Sequence, residues 1–165
     1  MLIRRSVLFV ALFLIFLPSF SFSMAEKPKK VEQADNLENS VFQIQREVKQ
    51  TLDSMIEAYK SRNVASFMKY VTEDYTGERT DLEWSVRKDF SNFNNIELRY
   101  SINNITIDST GKFIQVALNF NRTYVDIKTG KAVKDSGQSI LIFKLVENKP
   151  RLYSMRERRL FGISK

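Results

Sequence analysis

The apolar residues of this chain change their spacing near its middle, and this change most constrains the fold. From Leu37 to Phe93 they recur at intervals of three and four, which lays one apolar stripe along a helix. After Asn94-Asn95 they recur at every second position, as in a strand with one buried face. Helices followed by a run of strands predict an α+β fold, with the helices packed on one face of a curved, mostly antiparallel sheet.

Three helices are predicted before the change. Asn63 can cap the second helix, over Val64–Val71, and a Thr-x-x-Glu capping box predicts that the third begins at Thr80. Tyr75-Thr76, between these two helices, is a candidate short strand. The first and longest helix carries a stripe of eight apolar residues: Leu37, Val41, Ile44, Val48, Leu52, Met55, Ile56 and Tyr59.

Four long strands joined by tight turns are predicted after the change. The alternation slips once in the first strand, at Asn103-Asn104, which indicates a bulge. The four strands are Ile96–Ile107, Phe113–Ile127, Gln138–Val146 and Arg151–Phe161.

Residues 1–25 have the pattern of a cleaved signal peptide. Arg4 and Arg5 give a positive start, and an apolar run from Val7 to Leu17 follows. The run is shorter than the roughly 20 residues that cross a bilayer. Small residues allow cleavage after Ser23 or Ala25. The protein is therefore expected to be periplasmic or secreted. The alternative is that the segment stays uncleaved and anchors the protein in the membrane, and the sequence predicts no other membrane contact.

The rest of the chain predicts a flexible basic tether over residues 26–35 and one domain over residues 36–165. The whole chain has 26 Lys+Arg against 19 Asp+Glu, and removing residues 1–25 leaves a net charge of +5. Export argues against nucleic acid as the partner. The charge fits an anionic envelope surface or an acidic ligand, or it serves solubility alone.

The chain has no Cys and no His. This excludes a disulfide framework, a Cys or His zinc site, a Cys nucleophile and a Ser–His–Asp triad. The sequence predicts neither a metal site nor a cofactor.

The stretch Ile56–Tyr75 resembles the opening of the nuclear transport factor 2-like superfamily, a cystatin-like α+β group that includes the ketosteroid isomerase-like and polyketide cyclase (SnoaL-like) proteins. The resemblance extends over about Asn36 to Gly162. It implies a conical half-barrel with a pocket between the helices and the concave sheet face. Enzymes, binding modules and dimerisation domains share this fold, so it does not decide the function. The elements that carry the resemblance are Tyr59, the polar break Ser61–Asn63, the helix Val64–Val71 and the pair Asp74-Tyr75.

Arg122 is the most informative candidate for a ligand contact. It has the strand parity of Leu118 and Phe120, so alternation points it toward the apolar face. A buried Arg needs a partner, either Glu157 on the last strand or an anionic ligand; alternatively the core ends near Phe120 and Arg122 lies at the rim. The other candidate pocket residues, which simple core packing would equally explain, are Tyr59, Tyr75, Trp84 and Tyr124.

Two functional hypotheses from different classes follow. The preferred one is a non-catalytic exported module that binds a small ligand, a peptide or an envelope protein, or that forms a homodimer through its sheet. The alternative is an acid–base enzyme of the ketosteroid isomerase or SnoaL-like kind acting on a small hydrophobic substrate. Its weak catalytic candidates are Asp74 and Glu157, and no catalytic motif supports either of them.

Overall fold

The computed structural model describes residues 29–164, with side chains described from Val41 onwards. The predicted signal peptide and the start of the predicted tether lie outside these residues. Three helices come first and four strands follow: α1 Lys29–Lys60, α2 Val64–Met68, α3 Arg79–Asn92, β1 Phe93–Ile107, β2 Phe113–Asp126, β3 Ala132–Val146 and β4 Lys149–Glu157. The predicted α+β class and the order of its elements are confirmed.

The strands form one antiparallel sheet in the order β1-β2-β3-β4. The expected bulge in β1 is confirmed, because the register shifts between Ile102 and Asn104. Further shifts between Asn94 and Glu97 and between β3 and β4 help to curve the sheet. The short strand expected at Tyr75-Thr76 does not form: Thr76 lies in a turn, and its backbone N–H donates to the Tyr153 carbonyl oxygen at 2.9 Å. A single parallel bridge forms earlier, between Val71 and Leu152.

The helices cover the concave face of the sheet. Within the described part of α1, the predicted stripe is buried from Val48 onwards, and Val48, Leu52, Met55 and Tyr59 have no exposed surface. Val41 and Ile44, earlier in the stripe, are half-buried. Their counterparts from the sheet include Ile114, Val116, Leu118, Leu141 and Phe143, which are also fully buried. The helices and the sheet therefore share a single core.

Several boundaries differ from the prediction. α1 is helical from Lys29, within the stretch expected to be a tether, because Lys, Glu, Gln and Ala in that stretch favour a helix. α3 begins at Arg79 after Glu78, whose φ is 62°, and no side chain caps it, so the capping box at Thr80 does not form. None of the helices within residues 29–164 has the length and apolar character needed to cross a membrane.

The last strand ends at Glu157, four residues before the predicted end at Phe161. Leu160 and Phe161 are both fully buried. Consecutive residues of a strand point to opposite faces, so a continued strand would have left one of the two on the outer face. The chain therefore leaves the sheet at Glu157, where φ is 63°, and turns into the concave interior.

Candidate functional site

Aromatic side chains fill the interior between the helices and the sheet. The Tyr59 ring lies 5.3 Å from that of Phe90 and 5.2 Å from that of Phe161. Phe161 also packs edge-on against Phe67, with 4.9 Å between the ring centroids. These side chains are 6% exposed or less. The interior is thus closed by the chain's own residues, and Phe161 contributes to this closure from the carboxyl-terminal segment.

A buried carboxylate holds this segment from one side. Asp89 on α3 is fully buried and accepts hydrogen bonds from the backbone N–H groups of Ile163 (2.9 Å) and Ser164 (2.7 Å). The Tyr59 hydroxyl donates a third bond to it at 2.5 Å. Burial, and then the negative charge of Asp89, hold the pKa of Tyr59 well above its usual range, so this hydroxyl stays protonated as a donor.

A buried guanidinium holds the segment from the other side. Arg122 on β2 is 2% exposed, and its Nη1 donates to the Leu160 carbonyl oxygen at 2.7 Å. Its Nη2 forms an ion pair with Asp135, which lies directly opposite on β3. The second oxygen of Asp135 pairs with Arg158 at 2.7 Å. One carboxylate therefore joins the buried Arg122 to the exposed Arg158.

An open cleft of about 820 Å³ borders the ion pairs of Asp135 with Arg122 and Arg158, and all three side chains form part of its wall. One part of its wall is apolar and the other is charged, with four basic side chains against two acidic ones. The residues that line it are Phe93, Arg122, Tyr124, Val133, Lys134, Asp135, Glu157, Arg158, Arg159 and Ile163.

Two of the basic side chains in the cleft are available to a ligand. Arg158 and Arg122 share Asp135, as described above. By contrast, the ion pairs found among the described residues do not include Lys134 or Arg159. The Arg159 guanidinium donates one long hydrogen bond, at 3.4 Å, to the Gly162 carbonyl oxygen. The cleft can therefore place two cations beside an apolar wall.

The architecture matches that of several solved structures. A ketosteroid isomerase-like protein from Erwinia carotovora atroseptica superposes with a TM-score of 0.55 at 11% identity, over 65% of this chain and 88% of that one. An NTF-2 like protein of unknown function from Shewanella oneidensis gives 0.51 at 13% identity, over 67% and 95%. A conserved protein from Planctomyces limnophilus gives 0.61 at 11% identity, over 68% and 93%.

The chain has the nuclear transport factor 2-like fold. This confirms the resemblance noted in the sequence. No protein-family model matches the chain. No curated protein matches it either. At such low identity the likeness concerns the fold alone.

The predicted ligand residues occupy different parts of this nuclear transport factor 2-like fold. Arg122 and Tyr124 line the cleft, and the Tyr124 ring packs 4.3 Å from that of Phe93. Tyr59 lies in the closed interior and does not reach the cleft. Tyr75 is half-buried, and burial raises its pKa. Trp84 is 57% exposed on α3, where the Lys88 amine lies 4.6 Å from its ring.

Neither weak catalytic candidate has the surroundings of a general base. Asp74 is exposed, and its ion pair with Lys144 lowers its pKa, whereas a base working near neutral pH needs a raised one. Glu157 is exposed at the edge of the cleft. The predicted pairing of Arg122 with Glu157 is wrong, as is its placement at the rim: Arg122 is buried and its partner is Asp135.

Sequence reasoning missed two acidic residues that organise the site. Asp89 falls in the buried stripe of α3 with Leu82, Val86 and Phe90, so an acid at an apolar position was the available signal. Asp135 faces Arg122 across the β2–β3 hairpin, which the register of that hairpin would have indicated. Among the side chains described from Val41 onwards, no group of three or more Asp or Glu residues is placed to hold a metal ion.

Proposed function

We propose that this protein is an exported, non-catalytic binding module whose ligand is a small amphipathic carboxylate. The observation that carries the proposal is the division between a closed interior and an open cationic cleft. Leu160 and Phe161 fill the interior, so a substrate has no room there while they are in place. The cleft remains open and offers both charge and apolar surface.

The cleft has the two parts that an amphipathic anion requires. Arg159 and Lys134 supply positive charge, and Arg is the side chain best suited to a carboxylate because its planar fork can donate two parallel hydrogen bonds. Phe93, Tyr124 and Val133 supply an apolar wall for the body of the ligand. Sites of this kind bind small molecules through mostly apolar contact and a few placed polar groups.

The test compares a carboxylate with its uncharged counterpart. Titration of protein recovered from expression of the full chain with naphthalene-2-carboxylate, followed by the fluorescence of the ligand, should give saturable binding that weakens with salt. Naphthalene-2-carboxamide should bind at least about 10-fold more weakly, since a hydrogen bond to a charged group is worth about 1.5–3 kcal/mol. Equal affinity for the two would refute the proposal.

Two arginines of one short segment give a matched pair of variants. Arg159→Gln should weaken carboxylate binding about 10-fold, because it removes a cation from the cleft. Arg156→Gln removes the same charge from a groove on the outer sheet face, beside Ile142 and Tyr153, and should leave binding unchanged. If both variants weaken binding equally, general charge attraction explains the result and the cleft is not the site.

Export is supported by the signal-like pattern of residues 1–25. Expression of the full chain in a bacterium, followed by mass determination of the periplasmic fraction, should show loss of residues 1–23 or 1–25. An intact chain in the membrane fraction would instead indicate the uncleaved anchor.

A homodimer through the outer sheet face is part of the same proposal. That face carries half-buried apolar side chains, among them Ile142, Phe113 and Tyr153, and the last two rings lie 5.2 Å apart. Light scattering during gel filtration should give twice the chain mass, and Ile142→Lys should give the monomer mass. A monomer for the unmodified protein at all concentrations would exclude this interface.

The acid–base enzyme stays the second candidate because the interior contains a hydroxyl–carboxylate pair, Tyr59 and Asp89. The carboxylate already accepts three hydrogen bonds and is fully buried, so no substrate contacts it while the carboxyl-terminal segment is in place. If Asp74→Asn abolished the biological function with the fold intact, the enzyme hypothesis would replace the binding module, because Asp74 lies outside the lining of the cleft.

A further inference from the structure

The carboxyl-terminal segment, residues 158–164, is bound to the rest of the molecule in the manner of a peptide ligand. Its two large side chains, Leu160 and Phe161, enter the aromatic interior and lose all exposed surface. Phe161 touches the rings of Tyr59 on α1 and Phe67 on α2, so its contacts come from the helical layer. The segment thus has two anchor residues, and Phe161 lies between aromatic rings of the helical layer.

The polar contacts to the segment are directed mainly at its backbone. Arg122 donates to the carbonyl oxygen of Leu160, and Asp89 accepts the N–H groups of Ile163 and Ser164. The Asn92 side chain adds a 3.2 Å bond to the Ser164 hydroxyl. Main-chain hydrogen bonds combined with pockets for a few side chains are how proteins commonly recognise extended peptides.

The sheet offers an unpaired edge next to the start of the segment. In the described sheet, pairing of β3 with β4 begins at Ser139 opposite Glu157, so the earlier residues of β3 have no partner in β4. The Arg158 side chain covers that edge instead, with Nη1 donating to the Ser136 carbonyl oxygen at 2.6 Å. Glu157 has a φ of 63°, which costs about 1 kcal/mol or more for a residue with a side chain. Continuing β4 would relieve this strain and pair the edge.

We propose that the interior is a peptide-binding groove that residues 158–164 occupy in cis, and that it accepts in trans an extended peptide with an aliphatic–aromatic pair. Leu160 and Phe161 define that pair, and Asp89 and Arg122 define the backbone groups that the peptide must present. The segment leaves the groove without unfolding the domain. This inference stands without the carboxylate site in the cleft.

The absence of cysteine from the sequence makes the proposal directly testable. Ser164→Cys places a thiol on the segment at a position that is 9% exposed, and Ser139→Cys places one in the sheet at a position that is 1% exposed. Both changes replace one oxygen by sulfur. The reaction rate of each thiol with a maleimide, under native conditions, reports how often its surroundings open.

If the segment leaves the groove on its own, the thiol at position 164 should react at least about 100-fold faster than the thiol at position 139, which opens with the whole domain. A synthetic peptide with the sequence of residues 158–165 should accelerate the reaction at position 164 further, in proportion to its concentration, because it occupies the vacated groove. The same peptide with Phe161→Ala should not.

Two results would overturn the proposal. Equal rates at the two positions would mean that the segment is released only by global unfolding. A fast reaction at position 164 that the peptide does not change would mean that the segment frays and the groove binds no peptide. Hydrogen exchange of the unmodified protein makes the same comparison of segment and sheet without a substitution. The Ile163 and Ser164 amides, which bind Asp89, should then exchange faster than amides paired within the sheet.

Discussion

Replacement of Phe161 by Ala tests whether the carboxyl-terminal segment is part of the core. Burying a Phe side chain completely contributes about 1.5–3 kcal/mol. The two ring pairs, with Tyr59 at 5.2 Å and Phe67 at 4.9 Å, add about 0.5–1.5 kcal/mol each. The sum agrees with the loss of about 3–5 kcal/mol typical of Phe→Ala in a core. We expect a loss of this size in the free energy of unfolding.

Urea unfolding followed by circular dichroism measures this loss as a shift of the transition midpoint. Phe42→Ala is the matched control, because the Phe42 side chain is 60% exposed on α1 and its removal should change the free energy of unfolding by less than about 0.5 kcal/mol. A loss below about 1 kcal/mol in the free energy of unfolding for Phe161→Ala would refute the argument, because the Phe161 side chain would then contribute little to the packing of the core.

Three further predictions follow from the polar groups. Tyr59 has a raised pKa when folded, so the unfolded chain loses this proton first above pH 10 and stability should fall there by about 1.4 kcal/mol per pH unit; Tyr59→Phe should make that slope shallower in urea titrations at several pH values. Arg122→Met should cost about 3–5 kcal/mol in urea unfolding because it breaks a buried pair, whereas Arg158→Ala, at a side chain 60% exposed, should cost less than about 1 kcal/mol. Asp74→Asn removes the exposed pair with Lys144, outside the cleft lining, and should change neither the unfolding midpoint nor carboxylate binding.

Local patterns were sufficient for most of the fold. The stripe of α1, the cap at Asn63, whose side chain accepts the Ser66 N–H at 2.9 Å, and the bulge at Asn103-Asn104 all depend on residues close in sequence. The end of β4, by contrast, depends on residues that are distant in sequence. Its alternation continues to Phe161, and only the tertiary demand for two consecutive buried side chains turns the chain inward.

The candidate site was less accessible to sequence reasoning for the same reason. Parity correctly predicted that Arg122 faces the core, but its partner depends on the register of the β2–β3 hairpin. The third strand was predicted to begin at Gln138, whereas β3 begins at Ala132, so Asp135 lay outside every predicted strand and was missed. Glu157, one of the alternatives considered, rested on the parity of a strand that ends early. Asp89 was missed because its burial is stabilised by three hydrogen-bond donors that are distant from it in sequence. One donor is on α1 and two are on the carboxyl-terminal segment.

The two proposed sites share residues, and this sharing has a thermodynamic consequence. Arg122 holds the Leu160 carbonyl oxygen with one nitrogen and Asp135, on the wall of the cleft, with another. A ligand in the cleft contacts a wall whose shape depends on the segment being in place, since Arg159 and Ile163 belong to both. Binding must then favour the bound segment by the same free energy by which the segment favours binding. Saturating naphthalene-2-carboxylate is therefore expected to slow the reaction of the thiol in Ser164→Cys, and an unchanged rate would show that the cleft and the groove act independently.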